Sequence, residues 1–276
     1  MATINKIKVD GASTTYDIED ALLWAKFNDT IANNAGAHNA IYRGKNLGSS
    51  VTASQYSAIS SGQFTDMFVG DYWTIGGVTW RIAAFDYWYN TGDSACTKHH
   101  AVIVPDTQLY TAQMHNTESG GYESPDSANV TTGGYMGSDM YKTNLEKAKA
   151  TINTHFANHV LNHREYLVNA TTSAGVPSGG TWVDSTVELM SEQMVYGSSI
   201  FGSGAYNGTF PTLYTIDCIQ LPLFQHRPDM KNGARQWYWL RDVVSYRYFA
   251  SVGDGGNCHC NNSSDACGVR PAFAIC

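Results

Sequence analysis

A short segment near the end of the chain brings together residue types that often bind metal ions. Cys258, His259 and Cys260 are consecutive, and Cys267 follows a few residues later. Thiolate and imidazole are zinc's preferred ligands, but structural zinc sites generally use cysteines separated by two residues, so we predict no metal site here. A disulfide between Cys258 and Cys267 is an alternative with no better support. With only six cysteines in the chain, we expect mostly reduced thiols.

Three histidines at helical spacing form a second candidate metal site. His155, His159 and His163 recur every four residues, which places them on one side of an α-helix. No H-E-x-x-H motif accompanies them, and the sequence points to no further ligand or general base. We therefore interpret them as polar positions, one or more of which is hydrogen-bonded within the fold.

A third pair of histidines, His99 and His100, directly precedes the apolar segment AVIVP at residues 101–105. Neighbouring side chains on a strand point to opposite faces, so we expect one of the two at the edge of the core. Neither a G-x-S-x-G nor a G-x-x-x-x-G-K-[ST] motif occurs. We find no catalytic signature and predict neither an enzyme nor a cofactor.

Composition and charge limit the classes of protein to consider. The 276 residues are 43% hydrophobic and 12% aromatic but only 15% charged, which favours short strands and turns over long solvated helices. The net charge of -7 comes without any long basic run, which argues against nucleic-acid binding. The sequence offers no apolar signal-peptide core and no run of roughly 20 apolar residues. We expect synthesis in the cytoplasm and no membrane insertion.

Helical and strand-like patterns alternate irregularly, which predicts an α+β fold. A strand, a turn and a second strand open the chain, and a helix over 21–36 follows. We therefore assign an N-terminal segment to residues 1–40 and a larger domain to residues 41–276. The elements predicted in the larger domain are a helix over 54–63, two strands around Gly76 and Gly77, a buried strand over 101–105, a loop over 111–140, a helix over 139–169, a linker over 173–180 and a strand over 182–190.

The segment 242–269 differs from the rest of the chain in composition. It contains no Lys, Glu, Gln, Met or Trp, although all five occur elsewhere. Every residue type present can be encoded by a codon that ends in a pyrimidine, the set that random substitution in asparagine codons would produce. Tyr, Ser, Gly, Asn, Asp and His also suit an adaptable binding surface. We interpret residues 242–267 as a diversified loop region, and an ordinary polar β-hairpin stays open on composition alone.

The flanks of this region carry a family resemblance. W-Y-W-L-R at 237–241 and G-V-R-P-A-F at 268–273 resemble the end of C-type-lectin-fold variable proteins of diversity-generating retroelements in phages and prophages. Segments from AIYRGKNL to LPLFQHRPD are similar to phage tail-associated proteins, so the resemblance covers most of the chain after residue 41. The opening MATINKIKVDG is similar to the N-termini of phage tail proteins. The resemblance implies a C-type-lectin fold, shared with formylglycine-generating enzymes, behind a short N-terminal appendage.

The resemblance also implies a division of roles, because function in such proteins belongs to the variable face and not to the fold. We expect Trp239 and Phe273 in the core, and Arg241 and Arg270 paired or hydrogen-bonded. The fixed frame would comprise Trp237, Trp239, Arg241, Gly268 and Arg270. The contact residues would be Asp242, Tyr246, Tyr248, Asp254, Asn257, His259, Asn261, Asn262 and Asp265.

The function implied is that of a phage or prophage tail-tip protein, on the virion tail or exposed at a cell surface. It would bind a bacterial surface ligand, protein or glycan, through the variable face and tail proteins through its N-terminus, and a homo-oligomer is compatible with this role. One alternative is a structural tail component, and another is a metal- or thiol-dependent enzyme of the formylglycine-generating type. The C-x-C spacing does not match those enzymes, and no calcium-binding carboxylate cluster is plain around Asp254.

Overall fold

The computed structural model describes residues 6–8, 15–17, 32–115, 131–202 and 220–276. Strands predominate over short helices in these ranges, which confirms the mixed α+β class. None of the helices within them has the length and apolar character needed to cross a membrane.

The strands, in chain order, are β1 (Lys6–Lys8), β2 (Thr15–Asp17), β3 (Asn46–Gly48), β4 (Tyr72–Ile75), β5 (Val78–Phe85), β6 (Ala101–Pro105), β7 (Tyr110–Gln113), β8 (His163–Thr171), β9 (Pro177–Ser185), β10 (Val187–Leu189), β11 (Tyr238–Val243), β12 (Tyr248–Val252), β13 (Cys258–Asn262), β14 (Ala266–Val269) and β15 (Pro271–Ile275). The α-helices are α1 (Ala35–Asn39), α2 (Ala53–Ser60), α3 (Gly134–Gly137), α4 (Glu146–Phe156), α5 (Glu192–Tyr196) and α6 (Pro222–His226). A π-helix spans Met140–Asn144, and 3-10 helices span Ala157–His159 and Pro228–Asn232.

Two large sheets form the body of the molecule. One has six strands in the order β10-β15-β6-β5-β4-β3, and the other has five in the order β13-β12-β11-β14-β7. Strands β14 and β15 follow each other in the chain but belong to different sheets, with Arg270 between them. The hairpins β1–β2 and β8–β9 form two further antiparallel pairs. The C-terminal segment therefore joins the two large sheets.

Several predicted elements are confirmed. The Gly76-Gly77 turn links β4 to β5, and both glycines have positive φ, of 59° and 78°, as a tight two-residue hairpin turn requires. Strand β6 is buried at all five positions. Helix α2 begins with a capping box in which Thr52 and Gln55 satisfy each other's backbone N–H groups, and it matches the helix predicted over 54–63.

The five-stranded sheet contributes side chains to two hydrophobic clusters, because successive side chains along a strand point to opposite faces of the sheet. Tyr238 and Leu240 of β11 join the cluster shared with the six-stranded sheet. Trp239 and Val243 join the second cluster. Trp239 is fully buried, and its indole N–H donates to the carbonyl of Ala112 at 2.9 Å. Phe273 is also fully buried, so the core placement predicted for both aromatics is confirmed.

The helix predicted over 139–169 is wrong in its second half. Helix α4 ends at Phe156, followed by Ala157 with a φ of 44°, and residues 163–171 form strand β8. Apolar residues continue at helical spacing beyond the true end, which misled the prediction. Pairing with β9 along nearly all of β8 supplies the backbone hydrogen bonds that a longer helix would have made.

The three histidines therefore do not share a helix face. His155 lies on α4 near Trp80, with 6.3 Å between the ring centroids. The ring of His159 stacks on Tyr56 at 3.5 Å, and His163 is buried at the start of β8. Each imidazole has a separate packing role, so the one-sided arrangement expected from the spacing is wrong.

The linker predicted over 173–180 is wrong in its second half, because β9 begins at Pro177, whereas residues 173–176 do connect β8 to β9. A Cβ atom at Gly180 would lie 2.5 Å from the ring of Tyr166 on β8, so glycine here makes room for a cross-strand aromatic ring. The strand predicted over 182–190 is divided between β9 and β10, which belong to different sheets.

The structure also describes parts of the loop predicted over 111–140 and of the N-terminal segment 1–40. Strand β7 and helix α3 both lie within the loop predicted over 111–140, of which residues 116–130 are outside the described ranges. Strands β1 and β2 confirm the two strands predicted at the opening of the chain, and the turn predicted between them lies outside the described residues. The helix predicted over 21–36 falls almost wholly outside the described residues. Helix α1 packs its buried His38 against Phe68, with ring centroids 4.8 Å apart.

Candidate ligand-binding face

The predicted variable region, residues 242–267, forms a hairpin at one side of the five-stranded sheet. Strand β12 pairs with β13 from Tyr248↔Asn262 to Val252↔Cys258, and β13 is the edge strand. In the turn between them, Gly253 N–H donates to Asn257 O at 2.9 Å and Gly256 has a φ of 81°. The region is therefore a regular hairpin with one free strand edge.

Exposure separates the nine predicted contact residues into three groups. The exposed side chains, all in turns or on β13, belong to Tyr246, Asp254, Asn257, His259 and Asp265. Those of intermediate exposure belong to Asp242, Tyr248 and Asn261. Asn262 alone among the nine is buried.

Four of the nine form hydrogen bonds with backbone groups, and two of these four, Asn262 and Asp242, have side chains that are not exposed. The Asn262 Oδ1 accepts hydrogen bonds from Ser264 N at 3.2 Å and Ser264 Oγ at 3.0 Å, which shapes the turn after β13. The Asp242 carboxylate accepts the backbone N–H of Glu192 at 2.7 Å. These bonds give both residues a supporting role in the fold, because strand alternation directs their side chains inward, and their predicted role in ligand contact stays a prediction.

The exposed residues sit on a supported backbone. The turn that carries Tyr246 lies against the turn between β8 and β9, where a Cβ atom at Gly175 would come within 1.9 Å of Tyr246 N. At the other end of the hairpin, the ring of His259 meets the half-buried Trp237 edge-on at 4.6 Å. The side chains thus project from fixed positions, which lowers the entropy lost on binding.

The cysteines of the hairpin form separate hydrogen bonds. Cys258 Sγ donates to Glu192 Oε1 at 3.2 Å, whereas Cys267 Sγ accepts from Asn261 Nδ2 at 3.0 Å. Both thiols are free, so the disulfide alternative is wrong. Burial raises the pKa of Cys267 to about 11, and burial together with the nearby Glu192 raises the pKa of Cys258. Neither thiol has the lowered pKa of a reactive cysteine.

In the part of the chain that the structure describes, no group of three or more His, Cys, Asp or Glu side chains is arranged to hold a metal ion.

His99 and His100 form hydrogen bonds that stabilise the fold. His99 Nδ1 bonds the Asp86 carboxylate at 2.7 Å, and the fully buried His100 ring accepts the Trp88 N–H at 3.0 Å. Burial lowers the pKa of His100 to about 3, so the ring stays neutral. The core-edge position predicted for one of this pair is confirmed.

Arg270 lies where the chain passes from one large sheet to the other, and its hydrogen bonds connect several segments. Its guanidinium donates to the carbonyls of Pro105 at 2.8 Å, Lys231 at 2.7 Å and Met230 at 3.2 Å, and to Tyr238 Oη at 3.2 Å. These bonds satisfy polar groups of three separate segments in the interior. The hydrogen-bonded state predicted for Arg270 is confirmed.

Arg241 and Gly268 complete the frame. Arg241 Nη2 donates to Glu165 Oε2 at 3.0 Å, and both side chains are buried, which confirms the predicted pairing of Arg241. Gly268 N–H donates to Trp237 O at 2.8 Å, and a Cβ atom here would lie 1.7 Å from Gln108 Oε1. Together, the frame residues join β11 and β14 to neighbouring elements.

Sequence reasoning missed one buried residue that adjoins the hairpin. The fully buried Glu192, at the start of α5, accepts the backbone N–H groups of Ile200 at 2.7 Å, Phe201 at 3.0 Å and Gly202 at 3.0 Å. Its partners lie eight to ten residues away in a loop without periodicity. The available signal was the pair of glutamates, Glu188 and Glu192, in the mostly apolar segment VELMSEQMV, since a buried carboxylate must be paired.

In comparisons with family models, with curated proteins and with solved structures, nothing matches this chain. The functional conclusion therefore depends on the hairpin, its frame and the elements beside them.

Proposed function

We propose that this chain is a ligand-binding protein of the C-type-lectin fold, whose exposed hairpin residues recognise a ligand on a bacterial surface. The observation that carries the proposal is the division within residues 242–267 between exposed and buried side chains. Phe249 and Val252 are fully buried, whereas Tyr246 and His259 face solvent on the same hairpin. A surface of this kind can change its chemistry while its frame stays constant.

The exposed set has the chemistry of a recognition surface. Tyr246 and His259 supply aromatic contact area at low entropic cost, and Trp237 supports the histidine from one side. Asp254, Asn257 and Asp265 add carboxylate and amide groups that bind hydroxyl or amino donors. A few aromatic anchors within a polar rim are typical of residues that dominate binding energy.

The resemblance to variable proteins of diversity-generating retroelements supports a biological location for this binding surface. We propose that the chain acts at the tail tip of a phage or prophage and is attached through its N-terminal segment to other tail proteins. Several copies on one virion would raise a weak single-site affinity through multivalency. The enzymatic alternative needs a reactive thiol, and the raised pKa of Cys258 and of Cys267 disfavours it.

Sequencing the encoding locus in many individual phages or cells of one population tests diversification position by position. We expect amino-acid changes at the codons of Tyr246, Asp254 and His259. The codons of Phe249 and Val252 are controls within the same region, because both side chains are fully buried. A uniform region, or changes spread evenly over the gene, would contradict the proposal.

A binding measurement tests recognition directly. The probe is a panel of intact bacterial strains from the habitat of the source population, with bound protein detected by fluorescence. Replacing Tyr246 and His259 together with Ala should weaken binding by about 30-fold, as loss of a hot spot does. The control Tyr166→Ala changes a half-exposed tyrosine on the separate β8–β9 hairpin and should leave binding unchanged. Equal binding by all three proteins would refute the role of the hairpin.

A further inference from the structure

In the part of the chain that the structure describes, exposed large hydrophobic side chains are few and occur in two places. Among the described residues they are Ile200, which is 51% exposed, Phe201 at 42% and Tyr246 at 40%. Tyr246 belongs to the proposed contact set, but Ile200 and Phe201 lie outside the variable region. Adjacent exposed apolar side chains with a polar surround commonly mark a site of interaction.

The loop that carries the pair is held from inside the protein. Helix α5 ends at Tyr196 and is followed by Gly197, which has a φ of 84°, and the chain then turns back over the buried Glu192. The Glu192 carboxylate accepts the N–H groups of three consecutive residues, 200–202, at 2.7 to 3.2 Å. Charge-assisted bonds from successive amides fix the backbone of the loop, so Ile200 and Phe201 are presented in a defined orientation.

The same carboxylate connects this loop to the hairpin. Cys258 Sγ on β13 donates to Glu192 Oε1 at 3.2 Å, and Asp242 accepts the Glu192 N–H at 2.7 Å. A Cβ atom at Gly202 would lie 2.9 Å from Asp242 Cβ, so the loop packs directly against the end of β11. Both Asp242 and Cys258 belong to the predicted variable region, and the loop and hairpin therefore form one continuous surface.

We infer that the loop at residues 197–202 is a second, fixed part of the ligand-binding face, where Ile200 and Phe201 contact an apolar patch on a protein ligand. Glu192 is the positioning residue for this contact. This inference rests on the proposed ligand-binding function and adds to it the class of ligand and a constant anchor.

The chemistry of the pair favours a protein over other surface ligands. An aliphatic side chain beside a phenylalanine matches the apolar centre of a protein interface, where aromatic and aliphatic anchors are surrounded by polar groups. Sugars present hydroxyl groups, to which Ile200 offers no hydrogen bond. Anionic lipid surfaces attract basic segments, whereas the exposed charges of the hairpin, Asp254 and Asp265, are acidic.

Capture of defined probes tests the inference. Purified full-length protein would be offered a displayed library of random peptides, a glycan array, and vesicles of phosphatidylethanolamine with phosphatidylglycerol. We expect captured peptides to be rich in apolar residues. The double variant Ile200→Ser with Phe201→Ser should bind those peptides at least about tenfold more weakly. Both side chains are exposed, so its thermal unfolding should match that of the parent chain.

The remaining outcomes overturn the inference. Peptides that bind the serine variant as well as the parent, but lose binding on replacement of Tyr246 and His259 with Ala, would refute the anchor and leave the proposed function standing. Capture of glycans or vesicles in place of peptides would refute the ligand class. Failure to capture any peptide would also count against it, because a fixed exposed apolar pair should bind some apolar sequences.

Amide hydrogen exchange tests the role of Glu192 without any ligand. The N–H groups of Ile200, Phe201 and Gly202 should exchange at least about tenfold more slowly than that of the exposed Asp254 in the hairpin turn, because each donates to a buried carboxylate. Equal exchange rates would show that the loop is not held, and the positioning role of Glu192 would be refuted even if the serine variant bound more weakly.

Discussion

Strands β11 and β13 belong to one sheet but differ in their surroundings. β11 lies between β12 and β14, and five of its six residues are buried. β13 lies at the edge, and one of its five residues is buried. A central strand has its backbone paired on both sides, whereas an edge strand keeps one side free.

The difference shows how a constant frame and a changeable surface can occupy neighbouring segments. Substitutions on β11 disturb two hydrophobic clusters, because its side chains alternate between them. An exposed side chain on β13, such as His259, touches few neighbours, and its loss leaves no cavity. Distance from the sheet centre, more than distance along the chain, separates the two roles.

Among the frame residues, Arg270 should make the largest contribution to the free energy of unfolding. Replacing Arg270 with Ala leaves the carbonyls of Pro105, Met230 and Lys231 without this donor, so we expect the free energy of unfolding to fall by about 5 kcal/mol. Urea denaturation followed by circular dichroism measures the change. The control Arg235→Ala removes an exposed arginine nearby and should cost less than about 0.5 kcal/mol. A similar cost for both variants would break the distinction between frame and surface.

Asp242 lies where the frame meets the variable region, and its titration should affect stability. Burial, followed by repulsion from Glu192, raises the pKa of Asp242 from 3.8 to about 7. The folded state then holds a proton that the unfolded chain has lost, so the contribution of Asp242 to stability is greatest below pH 3.8 and declines as the pH rises through 7. The decline should reach up to about 4 kcal/mol and should be absent from the Asp242→Asn variant. Parallel pH profiles for the two proteins, from denaturant unfolding, would contradict this effect.

The ion pair between Arg241 and Glu165 should contribute the next largest effect. Replacing Glu165 with Gln removes the negative charge of the buried carboxylate that Arg241 Nη2 bonds, at an expected cost of about 3 kcal/mol. Replacing Arg241 and Glu165 together with Met should cost clearly less than the sum of the single Met replacements. A double-mutant cycle measures this difference, and additive costs would show that the pair is not coupled.

Local patterns predicted the elements whose determinants lie close together in the sequence. The Gly76-Gly77 hairpin and the buried strand β6 are of this kind, because turn chemistry and β-branched composition act over a few residues. The end of α4 was not predictable, because a backbone change at Ala157 and the pairing of β8 with β9 decide it. Pairing within the β8–β9 hairpin overrides helical spacing at that point.

The same limit applies to the candidate site. Arg270 and Trp239 were predictable as frame residues, because a conspicuous motif flanks the region and large or charged side chains need buried partners. Glu192 was not, since its partners are backbone amides of a loop that carries no sequence signal. The inward direction of Asn262 depended on the strand register, which the sequence did not specify because both neighbouring positions are polar.

The exposed turn residues should give the smallest effects on stability. Asp254→Ala and Asp265→Ala should each change the free energy of unfolding by less than about 0.5 kcal/mol, because neither carboxylate is buried. Phe249→Ala, in the same hairpin, should cost roughly 4 kcal/mol, since it empties a fully buried site. Thermal and urea unfolding of all three variants provide the comparison. A cost above about 1 kcal/mol for either aspartate would mean that the turns belong to the frame, and a surface that supports the fold could not vary freely.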